Sequence, residues 1–328
     1  MERRPPALRT GKHPGGLRRR RHDAHRSPHH RRRCRRPGDH RHRPGIRLRH
    51  HRRPLVGGSR AQRTGRDPRP IRHRVGHRPC RPLDRSGVPP GGGGLTVRLG
   101  LLRCDEVGGD RLDRYGGYRE LFTQLLNHGD EEVVVTDYDV VDGRLPGAAD
   151  EQDGWLISGA RSSALDDDPW IADLFDVVRD LDAARAPVIG VCFGHQAVAQ
   201  ALGGEVRYTG GWNIGVRRAE VVSPSSVTTP VDGGFGITYC HQDQIVGLPA
   251  RARLTSSTAH CPVASFGIGD HIIGIQGHPE FDTDFARDLY TSRLLRIGEE
   301  VVSDALSTLD DGTDRFAVAD WMLRVLSG

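Results

Sequence analysis

A cysteine between two glycines, Gly190-Val191-Cys192-Phe193-Gly194, stands where the apolar run PVIGV gives way to the helical pattern GHQAVAQALGG. This is the context of a nucleophile elbow of the G-x-S-x-G type, with sulfur in place of a hydroxyl. A turn this tight strains the nucleophile's backbone, and a Cβ at position 190 or 194 would crowd the neighbouring chain. The helix start favours an anionic sulfur through its unpaired N–H groups and dipole, and the N–H of Phe193 points to where an oxyanion would form. The structural alternative is a buried thiol beside a tight strand-to-helix turn, because free cysteine is among the most buried residue types. The motif alone leaves both open, and a base would decide between them.

A base follows 86 residues later, in IIGIQGHPEF. His278 and Glu280 stand two apart across Pro279 at the end of an apolar strand, so in extended chain both side chains face one way. Histidine can take the thiol proton, and the carboxylate can fix its tautomer and support the imidazolium. Other reactive residue types carry less. His195, inside the helix start, reads as a packing residue or one that supports the site from behind rather than as a base, and Trp155 and Trp212 as core or cleft wall. Cys240 and Cys261 lack further ligands at zinc spacing. The run GGGG at 91–94 lacks phosphate-loop spacing and reads as a linker. No cofactor or metal is expected.

The elements that must position these residues alternate. TVRLGLL reads as a first strand and GGYRELFTQLLNHG as a helix capped by Gly129. EVVVTDYDVV and GWLISG are strands, and the Asp cluster with Pro169 opens a helix before PVIGV. Strands alternating with helices predict a mostly parallel sheet covered on both faces, a flavodoxin-like, doubly wound α/β fold. Beyond residue 205 the pattern turns to successive strands and hairpins, and two helices, 283–297 and about 314–326, close the chain.

Charge divides the chain in two. Residues 1–95 hold 28 Arg, the single Lys12 and 5 acidic residues, a formal charge of +24, whereas residues 96–328 carry −18. The first segment is rich in Arg, Pro, His and Gly with almost no aromatic or β-branched residues. It is therefore expected to be disordered, and residues 96–328 to form one domain. Phosphate binding by arginines is conceivable, but without interleaved aromatics or a known module nucleic acid is not the expected partner. An apolar h-region is missing too, which argues against a secretory signal. One lysine against 47 arginines suggests a GC-rich coding sequence. The segment then reads as an upstream stretch translated from before the true start, with Val97 as the alternative start. A native peptide from residues 1–90 found by mass spectrometry would refute that. Six cysteines without CxxC spacing suggest reduced, cytosolic thiols, and no apolar run approaches the roughly 20 residues that span a bilayer.

Over nearly all of residues 97–328 the sequence resembles the class I, or triad-type, glutamine amidotransferase domains. The likeness rests on GVCFGHQ, GHPEF, LISGARSS and YCHQDQIVGLPARARLTSSTAHCPVASF. The last is similar to the His-x-Asp and Cys-Pro segments of GMP-synthetase-like members. GVCFGHQ and GWNIG look most like stand-alone members, including gamma-glutamyl peptidases. The resemblance implies that Cys192 attacks the amide carbonyl of glutamine or a gamma-glutamyl compound to give a thioester. His278 would protonate the leaving amine and then activate water, with Glu280 orienting it. Backbone N–H groups of Phe193 and of Ala160, or Gly159 beside it, would form the oxyanion hole. Gln196 would contact the glutamyl backbone, and His241 and Asp243 would lie near the substrate. Two departures stand out. Gly159-Ala160-Arg161 replaces the Gly-Pro-Gly or Gly-Gly-Pro turn of many members, and no synthase domain is present to receive ammonia. A self-sufficient hydrolase, a glutaminase subunit serving a separate synthase, and a non-catalytic binding protein are the three expectations.

Overall fold

The computed structural model describes residues 96–223 and 233–327, so the expectations for residues 1–95 lie outside the described residues. In chain order the elements are β1 (Thr96–Arg103), α1 (Asp110–Tyr115), α2 (Tyr118–Leu126), β2 (Glu132–Asp139), β3 (Gly154–Ile157), α3 (Pro169–Ala183), β4 (Val188–Val191) and α4 (Phe193–Ala201). They continue as β5 (Glu205–Val221), β6 (Phe235–Gly247), β7 (Ala252–Ser257), β8 (Ser265–Ile268), β9 (Ile272–Ile275), α5 (Thr283–Ser292), α6 (Leu294–Ile297), α7 (Glu299–Ser307), a 3-10 turn (Thr308–Asp311) and α8 (Arg315–Ser327).

Among the described residues nine strands form one sheet in the order β2-β1-β3-β4-β9-β8-β7-β5-β6. The first five pair in parallel, with Leu99 opposite Val135, Leu156 opposite Ile189 and Ile189 opposite Ile273. With β9 as its fifth strand, this half has the 2-1-3-4-5 order of flavodoxin-like sheets. The remaining strands pair antiparallel and extend the sheet at one edge.

Helices cover both faces, which is why β3 and β4 are buried at every position. On one face Leu156, Ile189 and Ile273 pack with Phe122 and Leu125 of α2, Phe285 of α5, and Trp321 and Met322 of α8. On the other, Trp155, Ile157 and Val188 pack with Leu174, Val178 and Leu181 of α3 and with Val198 of α4. Each fully buried Leu or Ile stabilises the fold by about 1.5–3 kcal/mol.

Several boundaries differ from expectation. Helix α2 ends at Leu126, not at Gly129. Asn127 caps it and ties it to β2, its amide accepting from Val133 N and donating to Val133 O. The stretch 283–297 is two helices, and α7 follows where no helix was expected. Gly298, at φ 106°, separates α6 from α7, and α7 buries only Val302 and Ala305. Helix α1 was also unexpected; it buries nothing, so it carries no apolar period. Among the described residues no helix is long and apolar enough to cross a membrane.

Candidate active site

The C-terminal ends of β1, β3, β4 and β9 open into a cleft of about 360 Å3. Cys192 sits there at φ 52°, ψ −100°, between the last residue of β4 and the first of α4. Only Cys192 and Arg185 among the described non-glycine residues have positive φ, a conformation that costs about 1–3 kcal/mol unless its surroundings impose it. Here they do. Cys192 N–H donates to Ile275 O at 2.9 Å, Gly194 N–H donates to Ser158 O at 3.1 Å, and Cys192 O accepts from Gln196 N. A Cβ at Gly190 would strike the backbone of Gly194, and one at Gly194 the carbonyl of Ile157. Both glycines are therefore required by close approach of backbone, as their spacing around the cysteine suggested.

His278 follows β9 and is fixed from three sides. Its N–H donates to Thr238 O at 2.7 Å, its ring stacks on Phe281 at 4.1 Å between centroids, and its Nδ1 lies 2.7 Å from Glu280 Oε1. All three side chains are buried, Glu280 to 1% exposure. With Nδ1 donating to the carboxylate, Nε2 is the nitrogen left for another partner. A methyl group placed on Gly159 would lie 2.9 Å from His278 Cε1 and 3.7 Å from Cys192 Cβ, so both side chains converge on this glycine. Burial pushes the imidazole down. The charges of Cys192 and Glu280 and hydrogen bonds to both outweigh it and hold His278 well above the ordinary histidine value.

The N–H groups of Gly159, Ala160 and Phe193 donate to no group among the described residues. Phe193 opens α4, where the first N–H groups have no partner within the helix. The turn before Ala160 is held by Ser158, whose Oγ accepts from Cys104 N and donates to Gly159 O.

The expected substrate contacts sit in the cleft in different states of commitment. Gln196 donates to Asp243 O at 2.6 Å and to Gln276 Oε1 at 3.1 Å, so both amide hydrogens hold α4 to its neighbours. Asp243 accepts from Ser163 Oγ at 2.5 Å, closing the β3–α3 loop onto β6. His241 has its Nε2 3.3 Å from Asn213 Nδ2, which places its proton on Nδ1, where no partner meets it. Burial, with the charges of His278 and His195, pushes His241 down to about 3, so it is neutral. His195 is fully buried against Phe266, and burial also pushes it to about 3. Trp155 is core, and Trp212 is cleft wall.

Arg161, at the departure from the usual turn, reaches across the rim to Asp105, with Nε and Nη2 donating at 2.8 and 2.6 Å. Sequence reasoning missed Tyr118, Asp105 and the arginines 111, 293 and 296, all lining the cleft. Only the i, i+3 spacing of Arg293 and Arg296 in SRLLRIG hints at a shared face.

Comparison with known proteins comes to the same place. The family model described as Glutamine amidotransferase class-I matches residues 111–294. Gamma-glutamyl peptidase 4 of Arabidopsis thaliana is 36% identical over 183 residues, covering 53% of this chain and 72% of that protein. Gamma-glutamyl peptidase 3 of the same plant is 32% identical over 207 residues, covering 60% and 82%. A glutamine-hydrolyzing GMP synthase of Aeropyrum pernix is 28% identical over 169 residues, covering 51% of this chain but 31% of its own length. The solved structure of a glutamine amido transferase from Methylobacillus flagellatus shares the fold, with a TM-score of 0.55, 24% identity, and coverage of 72% of this chain and 94% of that one.

Proposed function

Because the chain belongs to the class-I glutamine amidotransferase family, we propose that it hydrolyses gamma-glutamyl amide bonds through a thioester on Cys192. The observation that carries this reading is the strained Cys192 on its turn with the His278–Glu280 pair at the same glycine. The thiolate attacks the gamma-carbonyl carbon, and the oxygen takes up the negative charge facing the N–H groups of Phe193 and of Ala160 or Gly159. These donors stand ready because nothing in the described chain occupies them. As the tetrahedral species collapses, the C–N bond breaks and His278 Nε2 gives its proton to the departing amine. His278, now neutral, takes a proton from water, hydroxide attacks the thioester, and the C–S bond breaks to return thiolate and imidazolium. Glu280 holds Nδ1–H throughout and supports the imidazolium.

A stand-alone hydrolase is favoured over a subunit feeding ammonia to a synthase. The gamma-glutamyl peptidases match at 36% and 32% identity, the GMP synthase at 28%. The deciding experiment follows amino-acid release from gamma-glutamyl dipeptides and ammonia release from glutamine, with Cys192→Ala as control. Turnover lost in the variant by about 10^4-fold or more is expected, the scale seen when a nucleophile is removed. Activity on neither substrate without an added partner would turn the reading to the synthase subunit, and equal activity in the variant would end it.

A further inference from the structure

Residues 96–328 hold 37 acidic residues and 19 arginines, so most arginines of this domain have a carboxylate within reach; outside the cleft, Arg119 and Arg253 have none among the described residues. Arg98 pairs with Asp153, Arg103 with Asp137 and Asp139, Arg114 with Asp288, and Arg161 with Asp105. Arg111, Arg293 and Arg296 have no carboxylate partner among the described residues, and all three line the cleft that holds Cys192. Their contacts are neutral. Arg111 Nη1 donates to Ser292 Oγ at 2.8 Å. Arg293 Nη1 meets Cys240 Sγ at 3.1 Å, a thiol that burial pushes up and that Arg293 only partly offsets. The guanidinium carbons of Arg293 and Arg296 lie 6.0 and 5.1 Å from the Trp212 ring centroid.

The acidic residues of the same cleft are already engaged. Asp105 takes Arg161, Glu106 takes Arg103, and Asp166 and Asp243 accept from the N–H and Oγ of Ser163. What remains without an anionic partner is the set of guanidinium groups, whose N–H donors receive a carboxylate.

Its place relative to the reaction is fixed by the histidine. His278 stacks on Phe281, Phe281 stacks on Phe285 of α5, and Arg293 caps the end of that helix. Cys240, which Arg293 meets at 3.1 Å, feels Arg293, His278 and Cys192 alike. With Arg111 on Ser292 of the same helix and Arg296 sharing Trp212 with Arg293, the three arginines are linked to His278 through α5. In the proposed hydrolysis the leaving amine must face His278, which protonates it. A cleft of about 360 Å3 is within the range that encloses ligands larger than one amino acid.

Resting on that hydrolysis, we infer that Arg111, Arg293 and Arg296 form a subsite for a carboxylate carried by the leaving amine. The preferred substrates are then gamma-glutamyl amino acids or peptides with a free C-terminal carboxylate, rather than glutamine, whose leaving group is ammonia.

The test uses the full chain with Cys192→Ala, so that binding is read without turnover. Gamma-glutamylalanine, its C-terminal amide and glutamine are titrated by calorimetry. The free acid is expected to bind about tenfold or more tightly than the amide, the scale of one charge-assisted contact. The double substitution Arg111→Gln and Arg296→Gln, both outside the core, is expected to bring that ratio to about two or less. Equal binding of acid and amide would overturn the subsite. So would a double variant that weakens glutamine as much as the dipeptide, since the arginines would then hold the glutamyl carboxylate. Selective binding of the acid by Cys192→Ala with its three arginines intact, without turnover by the Cys192 chain, would uphold the subsite and sink the hydrolysis instead.

Discussion

Glu280 is the most buried carboxylate at the cleft, and its Oε1 meets His278 Nδ1 while Oε2 has no hydrogen-bond partner among the described residues. Its use lies in the charge it presents to the imidazole. Burial lowers the His278 pKa, and the charges of Cys192 and Glu280 raise it further than burial lowers it. Glu280→Gln removes one of the two charges that stabilise the protonated ring, so the pKa of His278 must fall. Activity that needs the imidazolium as acid disappears as pH rises through that pKa. The alkaline limb of the kcat/KM profile should therefore move to lower pH in Glu280→Gln, with a loss of about 10^3–10^4-fold at the optimum. A pH series on gamma-glutamyl dipeptides measures both, and an alkaline limb that stays in place or moves upward would show that Glu280 does not act through charge.

At the scale of elements, the β4–α4 junction is where sequence spacing and geometry constrain each other most tightly. Gly190→Ala or Gly194→Ala puts a methyl group into backbone that cannot yield as a side-chain end would. Each is expected to lower stability by about 2–4 kcal/mol. Gly129→Ala, where nothing lies within 4 Å, should stay within about 0.5 kcal/mol. Denaturant unfolding of the three variants checks this, and an elbow variant as stable as the Gly129 one would mean that the turn is not clamped. This junction was legible because it compresses into five consecutive residues, and His-Pro-Glu into three. The parallel half of the sheet was legible because its strands are apolar runs and α2 and α3 repeat their buried residues at helical spacing. Helices α1 and α7 were not, since they bury almost nothing. Nor were the cleft arginines, which come from separate elements and are distinguished by lining the cleft without a carboxylate partner.

At the scale of the whole fold, two buried histidines among the described residues set the response to mild acid. His195 and His241 lie near pKa 3 in the folded chain because burial excludes their charged forms, whereas an unfolded histidine titrates near 6.5. Between these values the unfolded state binds more protons, so the stability that the two neutral rings contribute is present above about pH 6.5 and is lost as pH falls toward 3. His278 runs the other way. Its raised pKa contributes stability that is complete below about 6.5 and is lost only as pH rises through its folded value. Asp105 acts lower still. Burial would raise it, but Arg161 and backbone N–H groups hold it below the ordinary carboxylate value, so its contribution is lost in stronger acid. The window from pH 6 to 5 therefore isolates His195 and His241. The unfolding free energy should drop there with a slope approaching two protons, about 2.7 kcal/mol per pH unit. His241→Gln should remove about half of that slope. Guanidinium unfolding at pH 7, 6 and 5 reads it directly. A flat profile in the unaltered chain would mean that the two rings take up protons within the fold, and that His241 Nε2 is not the neutral acceptor its contact with Asn213 Nδ2 describes.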